Sequence, residues 1–139
     1  MSGPDFLDTN IFVYAYDPVD RVKQRVARDL VRQALAGGVI ISIQVLAEFA
    51  ATLLHKMSPP ALPRDVSSVL DALAPIPLIL PDAELVGRAI RVRSEYGLHF
   101  YDGMIVAAAE RGGCGRIWSE DLNAGQRYFG IAVENPFRK

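Results

Sequence analysis

Short runs of apolar residues alternate along the chain with longer stretches in which apolar positions recur every three or four residues. The short runs have the length of strands, and the longer stretches have the period of amphipathic helices. Strands are predicted over 5–10, 39–42, 76–80, 116–118 and 130–136. Helices are predicted over 19–36, 43–56, 63–73, 82–96 and 101–113. Pro63 suits a first helical turn, Asp82 an N-cap and Gly112 a helix end.

This alternation of strand and helix predicts parallel strands joined by crossover helices. Such connections place helices on both faces of a sheet. The predicted fold is therefore a three-layer α/β/α sandwich with a mostly parallel central sheet. The sequence has no internal repeat, and its Pro-rich stretch 58–63 has the length of a loop rather than of a linker. We expect one domain spanning residues 1–139.

The composition is that of an ordinary folded protein, with 50% hydrophobic and 22% charged residues. The single cysteine, Cys114, excludes an internal disulfide, and the amino-terminal stretch lacks the basic and apolar regions of a secretory signal. The apolar stretch 39–56 is interrupted by Ser42, Gln44 and Glu48, which argues against a membrane span. We therefore expect a cytoplasmic protein without a membrane contact. The net charge of -1 gives no general basic signature of nucleic-acid binding.

Carboxylates recur where the predicted strands end and the helices begin. Asp8 follows the first apolar run, Asp102 lies at the start of the last predicted helix, and Asp121 comes shortly after the fourth strand. Glu48 lies on the polar face of the predicted helix 43–56, which follows the second strand. Because parallel strands end at the same edge of a sheet, we expect these four side chains to meet in one site.

Four acids gathered in one site need a counter-charge. Two like charges about 4 Å apart repel by about 4 kcal/mol at an effective dielectric constant of about 20. A shared proton, a basic side chain or a metal ion can remove that cost. Oxygen ligands select hard cations, which favours Mg²⁺ or Mn²⁺ over zinc. Taken singly, each acid is more often a helix cap or a solvated side chain, so the metal hypothesis depends on their joint placement.

Three stretches resemble the motifs of PIN-domain ribonucleases. They are FLDTNIFVYAYD at 6–17, ISIQVLAEF at 41–49 and YDGMIVAAAERGGCGRIWSEDLNAGQ at 101–126. Their order and spacing are similar to those of the family, and the short chain is similar in length to VapC-type toxins of toxin-antitoxin modules. The resemblance covers nearly the whole chain.

The resemblance implies a metal-dependent endoribonuclease that hydrolyses RNA phosphodiester bonds with Mg²⁺ or Mn²⁺, as the toxin of a toxin-antitoxin pair. An RNA substrate, a cognate antitoxin protein and a second copy of the chain in a homodimer are the partners it implies. The residues it assigns to catalysis and to the metal are Asp8, Glu48, Asp102 and Asp121. Those it assigns to orienting ligands or water are Thr9, Asn10 and Ser119. A contribution from Glu120 is left open.

Other functions are compatible with parts of the pattern. A PIN-like module that binds RNA or protein with idle acids is the main alternative, and the intact acids at all four positions argue against it. Phosphoryl-transfer folds of the receiver or haloacid dehalogenase kind need a lysine near the phosphate, and none of the lysines, Lys23, Lys56 and Lys139, follows a strand. A Ser-His-Asp hydrolase is disfavoured because the chain has no G-x-S-x-G motif.

Two further patterns have a structural and a functional interpretation. A basic stripe runs along the predicted helix 19–36, at Arg21, Arg25, Arg28 and Arg32. It is predicted to be the solvated face of that helix, with phosphate or partner binding as the alternative. Aromatic residues near Asp102 belong either to the core or to a surface that stacks on bases, namely Tyr96, Phe100 and Tyr101.

Overall fold

Strands and helices alternate through most of the computed structural model, which describes residues 3–138. The strands are β1 (Asp5–Leu7), β2 (Val39–Ser42), β3 (Leu78–Ile79), β4 (Arg116–Trp118), β5 (Arg127–Tyr128) and β6 (Ile131–Glu134). The helices are α1 (Thr9–Tyr16), α2 (Arg21–Ala36), α3 (Ile43–His55), α4 (Pro63–Ala72), α5 (Ala83–Tyr96) and α6 (Phe100–Arg111). Two helices follow each of the first three strands, and the last three strands follow one another.

The strands form a six-stranded sheet in the order β3-β2-β1-β4-β6-β5. Neighbouring strands are parallel except for β5 and β6, which are antiparallel. In the centre, Phe6 of β1 is in register with Ile40 of β2 and Ile117 of β4. Helices flank the sheet, so the predicted three-layer α/β/α sandwich with a mostly parallel central sheet is confirmed.

The central strands are held in place by full burial of their apolar side chains. Phe6, Leu7, Ile41 and Ile117 have no exposed surface. Strands covered by helices on both faces need such continuous apolar runs. Each side chain of this size contributes about 1.5 to 3 kcal/mol when it is buried. This packing holds β1 and β4, and with them their carboxyl ends, in fixed positions.

The packing of α5 against α6 requires a glycine. A Cβ atom added to Gly103 of α6 would lie 2.8 Å from the backbone oxygen of Ala89 in α5. Real Cβ atoms do not approach a backbone atom so closely, so any other residue at this position must shift one helix away from the other. Glycine is a weak helix former, and its presence in α6 is explained by this close approach.

The first helix differs from the sequence-based prediction. The pattern predicts a strand over 5–10, but β1 ends at Leu7 and α1 begins at Thr9. Asp8 is the N-cap of α1, and its Oδ1 accepts a hydrogen bond of 2.8 Å from the N–H of Thr9. The helix has 8 residues and most of them are apolar, which hides its period in the sequence. The prediction of a strand through residue 10 is therefore wrong.

Smaller differences concern other boundaries. The helix predicted over 19–36 begins at Arg21, after an N-cap at Asp20, and β5 is an edge strand that the pattern does not predict. Within residues 3–138, no helix has both the length and the apolar character needed to cross a bilayer. The single domain over 1–139 stays a prediction, and residues 1, 2 and 139, including Lys139, lie outside the described residues.

Candidate functional site

The candidate site lies at the carboxyl ends of the central strands β1 and β4. Asp8 follows β1 and Ser119 follows β4, and both are buried, with 5% and 0% of their surface exposed. The Ser119 hydroxyl donates a hydrogen bond of 2.7 Å to Oδ2 of Asp8, and the N–H of Thr9 donates to Oδ1. Both oxygens of this carboxylate have a fixed partner, so its direction is set by the ends of the two strands.

Glu48 reaches the site from α3, on the polar face that the sequence predicts. Its Oε1 accepts a hydrogen bond of 2.7 Å from the hydroxyl of Thr9, and its Oε2 accepts one of 3.2 Å from the amide of Gln44. The same amide donates to the backbone oxygen of Tyr101 at 3.0 Å. Glu48 is thereby tied to the first turns of both α1 and α6.

Asp102 lies in the first turn of α6, whose N-cap is His99. In the sequence, Asp82 and Asp102 are equally suited to capping a helix, but in the structure the two residues have different roles. Asp82 caps α5, and its Oδ1 accepts the N–H of Leu85 at 2.9 Å. Asp102 is not a cap, and it lines the cleft formed by the other acids.

Asp121 lies in the loop after β4 and is exposed. The amide of Asn10 donates a hydrogen bond of 3.0 Å to its Oδ2, and its own N–H donates to Oγ of Ser119 at 3.1 Å. Asn10 also accepts the N–H of Glu120 at 3.3 Å through its side-chain oxygen. One residue of α1 therefore holds both the backbone and an acid of this loop.

The predicted site residues come together around one cleft of about 500 Å³. Those that line it are Asp8, Thr9, Asn10, Glu48, Asp102 and Asp121. Ser119 lies beneath the cleft through its bond to Asp8. Within residues 3–138, none of the four acids takes part in a salt bridge. The structure brings all seven residues together, whereas their catalytic and metal-binding roles stay predictions.

Burial, with a further contribution from the negative charge of the cleft, raises the pKa values of two acids. Burial raises the pKa of Asp8 from 3.8 to about 6, and the charges of Asp121 and Asp102 add to this rise against the opposing effect of its hydrogen bonds. Burial also raises the pKa of Asp102, with further contributions from the charges of Asp121 and Glu48. A positive charge in the cleft would lower both pKa values, so the cleft favours a cation.

The donor set of the cleft fits a hard divalent ion in its chemistry. Carboxylate oxygens are the ligands that Mg²⁺ prefers, and they also suit Mn²⁺. In the described part of the chain, no three His, Cys, Asp or Glu side chains already stand at the spacing that holds a metal ion. Asp8, Glu48 and Asp121 are instead held by hydroxyl and amide groups. The four acids therefore share one cleft, but they are not arranged around a common point at metal-binding distance.

Tyr14 and Lys23 reach the loop after β4, and neither of them was assigned to the site from the sequence. The Tyr14 hydroxyl donates a hydrogen bond of 2.5 Å to Oε1 of Glu120, and Lys23 forms an ion pair with Oε2. Hydrogen bonds with Glu120 and then Tyr14 raise the pKa of Lys23 to about 12, so the amine is charged at neutral pH. Because Asn10 and Tyr14 lie one turn apart, a correct prediction of α1 would have placed both on one helix face.

The aromatic residues near Asp102 divide between the two roles that the sequence leaves open. Tyr96 packs edge-on against Tyr128 with ring centres 5.0 Å apart, and its hydroxyl accepts the N–H of Phe129 at 3.0 Å. Tyr101, which precedes Asp102 in the chain, is 56% exposed. Tyr96 and Phe100 are therefore partly buried side chains that pack against the core, whereas the ring of Tyr101 is accessible to a ligand.

Open α/β sheets bind their ligands at the carboxyl ends of the strands. The acidic cleft lies at this edge of the sheet. The PIN domain model matches residues 6–129, so the chain belongs to the PIN domain family. PIN domains are generally nucleases. No curated protein matches the chain at a significant level.

Solved structures share this fold over nearly the whole chain. A toxin-antitoxin complex from Klebsiella pneumoniae has a TM-score of 0.71 and 18% identity, covering 97% of this chain and 99% of that chain. VapBC2 from Rickettsia felis, bound to a DNA fragment from their promoter, has a TM-score of 0.64 and 22% identity over 94% and 97%. FitAcB from Neisseria gonorrhoeae has a TM-score of 0.65 and 18% identity over 97% and 99%. At such identities the likeness shows the fold alone.

Proposed function

We propose that the protein is a metal-dependent endoribonuclease and the toxin of a toxin-antitoxin pair. The observation that carries this proposal is the cleft in which four acids, none of them salt-bridged within residues 3–138, lie together in a PIN domain. An uncompensated cluster of this kind is costly in a folded protein unless a cation binds to it. A bound divalent cation would offset the electrostatic repulsion among the four acids.

The residues that would hold Mg²⁺ or Mn²⁺ are Asp8, Glu48, Asp102 and Asp121. When bound, such an ion lowers the pKa of a coordinated water and offsets the negative charge of a phosphodiester. Ser119, Thr9 and Asn10 contribute by restricting the rotation of Asp8, Glu48 and Asp121 through the hydrogen bonds described above. Restricting these side chains in advance reduces the conformational entropy lost when a ligand enters the cleft.

RNA is the proposed substrate class. Tyr101, which precedes Asp102 in the chain, has an exposed ring, and stacking of a base on such a ring contributes about 1 to 3 kcal/mol. Lys56 lines the same cleft and supplies a positive charge at its edge. In this proposal, Lys56 contacts the phosphates of the RNA and the ring of Tyr101 stacks on a base. Single-stranded or looped RNA presents the unstacked bases that this arrangement needs.

The proposed antitoxin partner has a suitable surface in an apolar groove of about 340 Å³ between α1, α2, α3 and α4. Its apolar lining residues include Phe12, Tyr16, Val31, Leu35, Phe49 and Val69. Arg28 and Arg32, from the exposed basic stripe of α2, line the same groove. An amphipathic segment of a partner protein fits such a groove. A homodimer in the cytoplasm belongs to the same proposal and is expected from the family resemblance.

The second candidate is a PIN-like module that binds RNA or protein without cutting. One observation favours it: among residues 3–138, the acids are not yet spaced as a closed ligand set. The two functions differ in what a divalent ion does. A nuclease requires the ion for its reaction, whereas an idle module retains RNA with or without it.

The test compares the purified protein with its Asp102→Asn variant on structured and unstructured RNAs, in Mg²⁺, Mn²⁺ or a chelator. Asp71→Asn, at an exposed position of α4 outside the cleft, is the matched control. We expect cutting only with a divalent ion, a loss of about 100-fold in Asp102→Asn and no loss in Asp71→Asn. Cutting that persists in chelator, or is undiminished in Asp102→Asn, contradicts the metal mechanism. Tight RNA retention without any cutting supports the binding module instead.

A further inference from the structure

Glu120 lies beside Asp121 at the acidic cleft, but its carboxylate is already engaged. Its Oε1 accepts the hydrogen bond of 2.5 Å from Tyr14, and its Oε2 forms the ion pair with Lys23. The amine of Lys23 also lies 3.3 Å from the Tyr14 hydroxyl. These three side chains, here called the clamp, form a closed triangle. The clamp joins α1 and α2 to the loop after β4.

Aromatic rings hold the lysine of the clamp. Its Nζ lies 4.8 Å from the ring centre of Tyr14 and 5.5 Å from that of Phe137, and the two rings meet edge-on at 4.9 Å. The side chains of Lys23 and Glu120 are 31% and 25% exposed. A partly buried ion pair beside two rings is restrained more strongly than an ordinary surface pair. Phe137 is not part of the clamp and lies beyond residue 129, where the PIN domain match ends, so this aromatic support comes from outside the matched region.

The clamp acts on the loop that carries two predicted site residues. Ser119 and Asp121 flank Glu120, and they are hydrogen-bonded to Asp8 and Asn10. The backbone N–H of Glu120 donates to Asn10 at 3.3 Å, and its side chain is held by the clamp. With both its backbone and its side chain fixed, Glu120 limits the movement of its two neighbours away from the cleft.

We propose that Tyr14, Lys23 and Glu120 are positioning residues that keep Ser119 and Asp121 in place at the cleft. Glu120 is thereby assigned to the support of the site and not to the ligand set. The catalytic consequence rests on the proposed nuclease function, whereas the effect on the loop follows from the contacts alone. The competing role for Lys23 is a direct contact with an RNA phosphate.

The experiment uses two variants that weaken the clamp and two that leave it intact. Lys23→Met removes the charge but keeps most of the side-chain length, and Glu120→Gln removes the ion pair while keeping the shape. Lys23→Arg preserves the cation. Arg91→Met is the matched control, because it breaks the Arg91–Glu95 ion pair on α5, whose side chains are 62% and 36% exposed. If Lys23→Met does not fold, Glu120→Gln, which keeps the shape of the side chain, still tests the clamp.

Amide hydrogen exchange in the protein without RNA or metal tests the effect on the loop. We expect the amides of Asp121 and Leu122 to exchange about 10-fold faster in Lys23→Met, and also faster in Glu120→Gln. Lys23→Arg and Arg91→Met should exchange at the wild-type rate. Unchanged exchange in both clamp variants overturns the inference, whether or not the protein proves to be a nuclease.

RNA cleavage in Mg²⁺ tests the catalytic consequence. Positioning predicts that both clamp variants lower kcat, by about 10-fold for Lys23→Met, with little change in KM. It also predicts that Lys23→Arg, which preserves the cation, keeps a kcat close to that of the wild type. If Lys23 instead contacts RNA, Lys23→Met raises KM and Glu120→Gln leaves kcat intact, which overturns the positioning role. If the wild-type protein cuts no RNA, the proposed function fails, and the exchange measurement still decides whether the clamp holds the loop.

Discussion

The Oγ atom of Ser119 lies 2.7 Å from Oδ2 of Asp8, although the two residues are 111 positions apart in the chain. The hydroxyl donates to the carboxylate and accepts the N–H groups of Asp121 and Leu122, both at 3.1 Å. One buried side chain therefore satisfies three polar groups at the ends of the two central strands. Ser119 links the most buried acid of the cleft to the loop that carries the most exposed one.

Replacing Ser119 with alanine is expected to lower the free energy of unfolding by about 2 to 3 kcal/mol. The change leaves a buried carboxylate oxygen without its donor and two N–H groups without their acceptor. Urea denaturation at neutral pH measures the loss. Ser68→Ala is the control, because that exposed hydroxyl donates only to the backbone oxygen of Arg64 at 3.1 Å. Equal losses in the two variants would contradict the role given to Ser119.

Asp8 is expected to make the metal-free protein less stable as pH rises. Burial raises its pKa in the folded state to about 6 from 3.8, so the folded protein binds this proton more tightly than the unfolded chain does. The contribution of Asp8 to the free energy of unfolding therefore falls between about pH 4 and about pH 6, and the loss is complete above that range. A shift of this size corresponds to about 3 kcal/mol.

Asp8→Asn removes this penalty because an amide does not ionise. We expect the variant to be more stable than the wild type by about 1 to 2 kcal/mol near pH 7.5 and no more stable near pH 4. The gain is smaller than the full penalty, since an amide cannot accept the hydrogen bonds of both Thr9 and Ser119. Urea denaturation in chelator at both pH values checks the prediction, and a stability difference that is independent of pH would count against it.

Gly103→Ala is expected to destabilise the protein by about 1 to 3 kcal/mol. The added Cβ would meet the backbone oxygen of Ala89 at 2.8 Å and force α5 and α6 apart. Gly87→Ala in α5 is the matched control, because its Cβ would have nothing within 4 Å. That variant should gain up to about 1 kcal/mol from helix propensity. Thermal unfolding of the two variants should therefore shift in opposite directions, and a gain for both would show that the helices yield without cost.

Apolar patterning was enough to predict most of the fold. The runs around Phe6 and Ile117 are buried on both faces, so their strand character is continuous and visible in the sequence. The pattern failed at α1, where apolar residues fill most of an 8-residue helix and leave no period to detect. It also failed at β5, an edge strand of two residues that is too short to show a period, although its Tyr128 is buried.

The acids of the site could be predicted, as could Thr9, Asn10 and Ser119 through the family resemblance, but the contact of Lys23 with Glu120 could not. Asp8 and Asp121 are marked by their positions after strands, and the topology of the sheet brings strand ends together whatever the intervening sequence. Lys23 lies on a helix remote from any strand end, so only the packing of α1 on α2 brings it to Glu120. Contacts that depend on how two helices pack leave no signal in spacing along the chain.

Thr9→Val is expected to lower nuclease activity without unfolding the protein. Valine has the shape of threonine but cannot donate the hydrogen bond of 2.7 Å to Oε1 of Glu48, which then keeps only its bond of 3.2 Å from Gln44. The backbone bond from Thr9 to Asp8 is unaffected, so we expect a stability change within about 1 kcal/mol and a fall in kcat of about 10-fold. Thr9→Ser keeps the hydroxyl and should retain most of the activity. Cleavage assays over a range of Mg²⁺ concentrations compare the three proteins. If Thr9→Val matches Thr9→Ser at every concentration, the orientation of Glu48 by Thr9 has no part in the reaction.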